Sequence, residues 1–152
     1  LIEQGVNARE IEVAALEEPR GRSFISMPCE IITSSKHEFY SYEAKYLDEE
    51  GARFEIPAKL ETSEVIRVQQ LAADVFSALE CSGMARIDFF LDRDTGKFFF
   101  NEINTIPGFT SISMYPKLMA HSGIHARELL TRLVENALNR QAQKLRLRRT
   151  VE

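Results

Sequence analysis

Two short segments of this chain carry acids and an amide at spacings suited to cation chemistry. From Ala85 to Arg93, the residues Arg86, Asp88 and Phe90 alternate with Ile87, Phe89 and Leu91. From Lys97 to Asn104, Glu102 and Asn104 flank Ile103. Side chains on a strand alternate faces, so each set shares one face. Asp94-Thr95-Gly96 between the segments is a hairpin turn signal. A three-residue turn sets Arg93 opposite Lys97, which sets Asp88 opposite Glu102 and Arg86 opposite Asn104. On this register Phe98, Phe100, Glu102 and Asn104 share the polar face, while Ile87, Phe89, Leu91, Phe99 and Ile103 face the core. A slip by one residue would set Asp88 against Ile103 and carry charge into the apolar face.

Two carboxylates directly opposite each other repel. A cation between them turns the repulsion into coordination. Two carboxylates and an amide oxygen, from Asp88, Glu102 and Asn104, suit hard Mg²⁺, with water and substrate phosphates completing the octahedron. The competing reading is a solvated hairpin with incidental acids. In Thr105-Ile106-Pro107-Gly108-Phe109-Thr110-Ser111, Gly108 lets backbone approach a ligand, and its N–H suits an oxyanion. The competing reading there is an ordinary Pro-Gly turn.

The elements that must position this hairpin are visible as periodicities. Arg9 to Leu16 alternates, with Ile11, Val13 and Ala15 on one side and Glu10, Glu12 and Ala14 on the other, which predicts a strand with one buried face. Pro19-Arg20-Gly21 is a turn, and Phe24 to Thr33 is an extended run broken by Pro28, predicting a hairpin. His37 to Pro57 lacks a clean period and is expected to be a long loop with short extended pieces. Thr62 to Cys81 predicts a helix capped by Thr62 or Ser63, with the stripe Val65, Val68, Ala72, Val75, Phe76 and Leu79, and Gly83 after its end. A short helix is expected within Ile112 to Ala120, starting near Pro116. A long helix from Ala126 to about Lys144 is expected to face the core with Leu129, Leu130, Leu133, Val134, Ala137 and Leu138. The order implies an α+β fold, an antiparallel sheet layered with helices.

Composition narrows the function classes. The chain has 152 residues, 44% hydrophobic and 28% charged, which suits one soluble domain or the larger part of one. No apolar run approaches the roughly 20 residues of a transmembrane helix. The opening Leu1-Ile2-Glu3-Gln4-Gly5 shows neither the basic region nor the apolar core of a secretory signal. A net charge of −4 gives no general footprint for nucleic acid, and the basic cluster Lys144, Arg146, Arg148 and Arg149 suits a solvated helix end. Cys29 and Cys81 lie far apart with no CxxC or Cys/His ligand spacing and are expected as free buried thiols in a reducing compartment. His121 and His125 are separated by a Ser122-Gly123 break. The chain opens without Met in a strand-like stretch, the pattern of a processed or truncated product.

Three motifs in order carry a family resemblance. Met84-Ala85-Arg86-Ile87-Asp88-Phe89-Phe90-Leu91-Asp92, followed by Phe100-Asn101-Glu102-Ile103-Asn104-Thr105-Ile106-Pro107-Gly108-Phe109-Thr110, resembles the C-terminal signature of D-alanine–D-alanine ligases, members of the ATP-grasp superfamily. Tyr42-Glu43-Ala44-Lys45-Tyr46 resembles that family's ω-loop motif, and Ser111-Ile112-Ser113-Met114-Tyr115-Pro116 also matches. The resemblance runs from the first residue to about Ala137.

It implies a cytoplasmic, ATP-dependent ligase acting in peptidoglycan precursor synthesis, with two Mg²⁺ ions (or Mn²⁺) and D-alanine as substrate. Glu3 to Val6 matches the adenine-docking segment, with Gly5 where relatives commonly carry Trp. Glu10 matches the ribose-binding acid and Lys45 a phosphate-binding lysine. Asp88, Glu102 and Asn104 match the magnesium ligands, and Arg86 and the Gly108 backbone match the oxyanion-stabilising groups. Ser113 and Met114 match the site of the second D-alanine's carboxylate. Tyr46 matches the dipeptide-forming type rather than a D-alanine–D-lactate ligase, and Tyr42 to Tyr46 argues against a more distant ATP-grasp ligase. The N-terminal substrate domain and glycine-rich lid of relatives have no counterpart here, so the isolated chain is expected to be inactive and its parent homodimeric. No nucleic acid or membrane partner is expected. A non-catalytic Mg-ATP-binding remnant and a structural interaction domain are the readings of other classes; both leave the opposed acids without a purpose.

Overall fold

The computed structural model describes residues 2, 4–19, 21–33, 52–110 and 112–146. Strand β1 (Ala8–Glu18) is the central element, and it is longer than its alternating stretch. Ile11 to Leu16 are all buried, so both faces are covered rather than the expected one. Strands β2 (Arg22–Ile25) and β3 (Cys29–Thr33) both pair antiparallel with β1, along successive stretches of it. The break between them falls at Pro28, which has no N–H to donate to a ladder.

Residues 34–51 lie outside the described residues, and with them most of the expected loop. Its last part is not loop: Ala52–Glu55 is strand β4, paired with β3 at the sheet edge. Arg53 and Phe54 are exposed there, which explains the lack of a clear hydrophobic period. Helix α1 (Thr62–Ala78) buries Val68, Ala72 and Phe76, while Leu79, expected in the stripe, is exposed. Its N-cap is Glu61, not Thr62 or Ser63, and the Glu64 carboxylate accepts the Glu61 N–H at 2.9 Å. The helix stops before Cys81, with Glu80 in the left-handed region at φ 50°.

Strands β5 (Met84–Asp92) and β6 (Phe98–Asn104) form the expected hairpin, with β5 paired along its whole length to residues 8–16 of β1. All pairings are antiparallel, in the order β4-β3-β1-β5-β6, with β2 also on β1. The register holds Asp88 opposite Glu102 and Arg86 opposite Asn104, as expected, but the path to it differs. Asp92 N–H donates to Lys97 carbonyl at 3.0 Å, closing a loop one residue longer than predicted. A β-bulge then sits between the Asp88–Glu102 and Phe89–Phe100 pairs, leaving Asn101 as the extra residue. The bulge inverts the faces of the aromatic run. Phe98 and Phe100 pack edge-on against the core residue Phe89, and Phe99 lies opposite Phe90 on the polar face, the reverse of the expected assignment.

Helix α2 (Met114–His121) carries Pro116 in its first turn, and Gly123 at φ 93° separates it from helix α3 (Ala126–Arg146). In α3 only Leu129 is fully buried. Leu130, Val134 and Leu138 are more than half exposed, contrary to expectation. Polar anchors set the roll of α3: Asn136 donates to the Glu17 carbonyl at 2.7 Å, and Arg132 and Arg140 pair with Glu18 and Glu17. One core therefore lies between the sheet and α1, around Ile11, Val13, Ile87 and Phe89. A second lies between the sheet and α2 with α3, around Leu16, Tyr115, Leu118 and Leu129. Among the described residues, no helix is long and apolar enough to cross a membrane.

Candidate functional site

Helices α2 and α3 cover only one end of their sheet face, above Ala14, Leu16 and Met84. Beyond them the face continues as a polar patch. Glu12 on β1 pairs with Asp88 on β5, and Asp88 pairs with Glu102 on β6, so three carboxylates form a row straight across three strands. The adjacent row is Ala14, Arg86 and Asn104. Arg86 leans from its row into the acidic one. Its Nε and Nη2 donate to the two carboxylate oxygens of Asp88 at 2.9 and 2.7 Å, a bidentate fork. Nε is also 3.2 Å from Glu12 Oε1, and Nη2 is 3.7 Å from Glu102 Oε1.

Burial alone lowers the pKa of this guanidinium, but the Asp88 hydrogen bonds and the charges of Glu12, Asp88 and Glu102 outweigh it and raise the pKa above its usual value. Among the described residues that touch Arg86, three acids face this one cation. Such a row in a half-buried place attracts a cation. Among the described residues no three acidic, His or Cys side chains converge as a closed metal cage. The donor set, two carboxylates and an amide oxygen with Glu102 open to solvent, instead fits a hard ion that keeps water or phosphate ligands.

Asn104 is half-buried, and its Oδ1 accepts the Ile106 N–H at 3.1 Å, which fixes the start of the following loop. Gly108 lies where a side chain does not fit: a Cβ there would stand 2.7 Å from Ser113 Oγ. Ser113 is the N-cap of α2, but its hydroxyl does not cap the helix. It accepts the Thr110 N–H at 3.0 Å and bonds the Thr110 hydroxyl at 2.8 Å, folding the loop back on itself. The Ser113 side chain thus leaves the first-turn N–H groups of α2 uncapped. The Met114 side chain is buried in the second core, so only its backbone faces this loop. Tyr115 Oη donates to the Ala15 carbonyl at 3.0 Å and ties α2 to β1.

Among the residues expected at the site, Arg86, Asp88, Glu102 and Asn104 are brought together, and Gly108 meets Ser113 in the adjoining loop. Glu10 lies on the same face as Glu12, opposite Phe90. Val6 is half-buried in the segment before β1, which the Arg93 N–H to Asn7 carbonyl bond (2.9 Å) fastens to the hairpin. Glu3, Lys45 and Tyr46 lie outside the described residues. Glu12 went unassigned from sequence, although the alternation of β1 set it on the correct face. The signal was an acid in the middle of an otherwise apolar buried strand. On β3 its neighbour is Cys29, whose thiol burial pushes up to about 12, with the Glu12 charge adding to the shift. An open depression of about 470 Å³ between β2 and α1, lined by Arg22, Asp74, Phe76 and Cys81, contains none of these site residues.

Comparison with known proteins is consistent across sequence and structure. The family model described as D-ala D-ala ligase C-terminus matches residues 1–135. D-alanine–D-alanine ligase A of Bradyrhizobium diazoefficiens is 59% identical over 149 residues, covering 98% of this chain and 39% of that protein. The D-alanine–D-alanine ligase of Coxiella burnetii superposes with a TM-score of 0.75 at 40% identity, over 94% of this chain and 36% of that one. The Bacillus anthracis D-alanine–D-alanine ligase complexed with ATP gives 0.72 at 28% identity, over 93% of this chain and 43% of that one. The chain thus spans about two fifths of the length of the curated relative it matches.

Proposed function

Because the chain belongs to the D-alanine–D-alanine ligase C-terminal family, we propose that it forms the magnesium- and ATP-binding part of an enzyme joining two D-alanines into D-alanyl-D-alanine. The observation that carries this reading is the row Glu12, Asp88 and Glu102 with Arg86 leaning into it and Asn104 beside it. A row of three carboxylates across one sheet face serves a reaction that brings phosphates and a carboxylate together around a cation.

The proposed roles follow from the family resemblance and, for the described residues, from position. Glu3 to Val6 offers backbone groups to adenine, and Glu10, on the open face, accepts ribose hydroxyls. Lys45 meets the phosphates. Asp88, Glu102 and Asn104 hold two magnesium ions, with manganese as a substitute. When bound, the metal offsets the charge of the triphosphate and polarises the γ-phosphate. The carboxylate of the first D-alanine attacks the γ-phosphorus, giving D-alanyl phosphate and ADP. The amine of the second attacks the acyl carbonyl, and the tetrahedral intermediate collapses to dipeptide and phosphate. Arg86 and the Gly108 N–H stabilise oxyanion charge in that step. The open N-terminus of α2, with Ser113 and the Met114 backbone, receives the second carboxylate. Tyr46 selects D-alanine over D-lactate as the second substrate.

The test is phosphate release from ATP by the complete parent protein, with D-alanine and then with D-alanine plus D-lactate. Release that needs D-alanine and disappears in Asp88→Ala supports the reading. Stimulation by D-lactate alone moves it to the depsipeptide ligases, and independence from both removes the substrate assignment.

A further inference from the structure

We propose that Glu12 is a positioning residue, the fixed anchor that keeps Arg86 at the site when Asp88 turns from the guanidinium to a cation. This inference rests on the ligase reading for its catalytic consequence, though not for the contact itself. In the structure both carboxylate oxygens of Asp88 are held by Arg86, at 2.9 and 2.7 Å. Each Asp88 oxygen keeps a lone pair, but a cation drawing on the same carboxylate competes with the guanidinium for its charge, and on this proposal loading opens the fork. Arg86 then loses its two shortest contacts.

Among the described residues, two acids remain within reach of it. Glu102 Oε1 is 3.7 Å from Nη2, but Glu102 is 59% exposed, stands on the edge strand and is itself a proposed metal ligand. It follows the cation. Glu12 Oε1 is 3.2 Å from Nε, on a side chain only 3% exposed. Its backbone is held in the centre of the sheet, with β3 on one side and β5 on the other. Of the three acids that touch Arg86, Glu12 alone has no proposed partner change during loading. A long side chain released from Asp88 would otherwise sample several rotamers, and an oxyanion donor is effective only when held before charge develops. Cation binding thereby converts Arg86 from a partner of Asp88 into a group aimed at substrate, pivoting on Glu12.

Glu12→Asp in the complete parent protein separates the possibilities, because it keeps the charge and shortens the reach. The expected result is a fall in kcat of about tenfold to a hundredfold. The KM for ATP and the Mn²⁺ affinity, read by water-proton relaxation without substrates, change by less than about threefold, since the charge stays near its place. Glu12→Gln, which keeps the reach and removes the charge, loses kcat as well. Unchanged kcat in Glu12→Asp would show that Glu12 supplies only charge. Mn²⁺ binding weakened tenfold or more in the same variant would make it a metal ligand. Either result overturns the proposal. A readout free of turnover is the Arg86 Nε–H resonance in ¹⁵N NMR with Mg²⁺ and ADP: it stays sharp in the wild type and broadens in Glu12→Asp. If the parent shows no D-alanine-dependent phosphate release, the ligase reading falls, and this resonance still decides the anchoring: equal line shapes in the two proteins refute it.

Discussion

Replacing Gly108 by Ala tests whether the loop before α2 is shaped by a steric contact rather than by glycine's backbone freedom. The added Cβ would stand 2.7 Å from Ser113 Oγ and 3.5 Å from Ser113 Cβ. The first distance is not tolerated; the second is ordinary contact. The hydroxyl must therefore rotate away, losing the Thr110 N–H at 3.0 Å and the Thr110 hydroxyl at 2.8 Å. Each such bond contributes about 0.5–1.5 kcal/mol net. Both are solvent-accessible, so the loss for Gly108→Ala is about 1–2 kcal/mol in total. Ser113→Ala removes the same two bonds without a clash and costs a similar amount. In the double variant there is no hydroxyl left to displace, so it should be no less stable than Ser113→Ala alone. The cycle then shows a coupling of about 1–2 kcal/mol between the two sites. Urea unfolding of the four proteins measures it, and hydrogen exchange at the Thr110 N–H reports the loop directly. In the complete parent enzyme, D-alanine-dependent phosphate release should follow the same non-additive pattern. Additivity within about 0.5 kcal/mol would refute the steric account.

Other outcomes follow from single contacts. Tyr115→Phe removes the hydroxyl that meets the Ala15 carbonyl and should cost about 1–2 kcal/mol, lowering Tm by about 2–4 °C per kcal/mol in calorimetry; an unchanged Tm would show that the bond does not hold α2. Gly83→Ala places a side chain at φ 77° beside Arg140 and should cost about 1–2 kcal/mol in urea unfolding. Thiol reagent at pH 8 should label the part-exposed Cys81 and leave the buried Cys29 untouched until urea is added; equal rates would contradict the packing of β3. Because burial pushes the Cys29 thiol up to about 12, its contribution to stability is complete below the ordinary thiol pKa of about 8.5 and is lost as pH rises from there. The alkaline stability of a Cys29→Ala variant, measured by urea midpoints from pH 8 to pH 11, should fall less steeply.

The order of elements and the acidic hairpin were legible because they rest on local alternation. Asp88 against Glu102 was reached correctly, but through two offsets that cancel, a longer turn and a bulge at Asn101. Neither leaves a trace in the run Phe98-Phe99-Phe100, where every residue is apolar and no contrast marks the change of face. The roll of α3 was misread for a related reason. Its apolar stripe is wide, and Asn136, Arg132 and Arg140 decide which part meets the sheet through partners more than 100 residues away in sequence. Glu12 was set on its proper face by alternation, yet its meaning depends on a guanidinium four strands later in the chain. Periodicity assigns faces; it does not reveal which polar group answers which across a sheet.

The bulge in β6 separates the identity of a residue from its count. Asn101 is exposed, and none of the described side-chain contacts at the site involves it, so exchanging it for another polar residue should matter little. Deleting it is a different change. The segments on either side would then alternate as one regular strand with every pair kept, Phe89 with Phe100 and Asp88 with Glu102, so the register survives and what is lost is the local bend and added twist of the bulge. The strand thus works as two segments in different phase, an aromatic one serving the core and a polar one serving the open face. Substitutions can accumulate in each segment separately, while the extra residue between them sets the local bend rather than the pairing. An exposed position can in this way shape a strand by its presence alone, an effect that scanning by deletion reads and scanning by alanine does not.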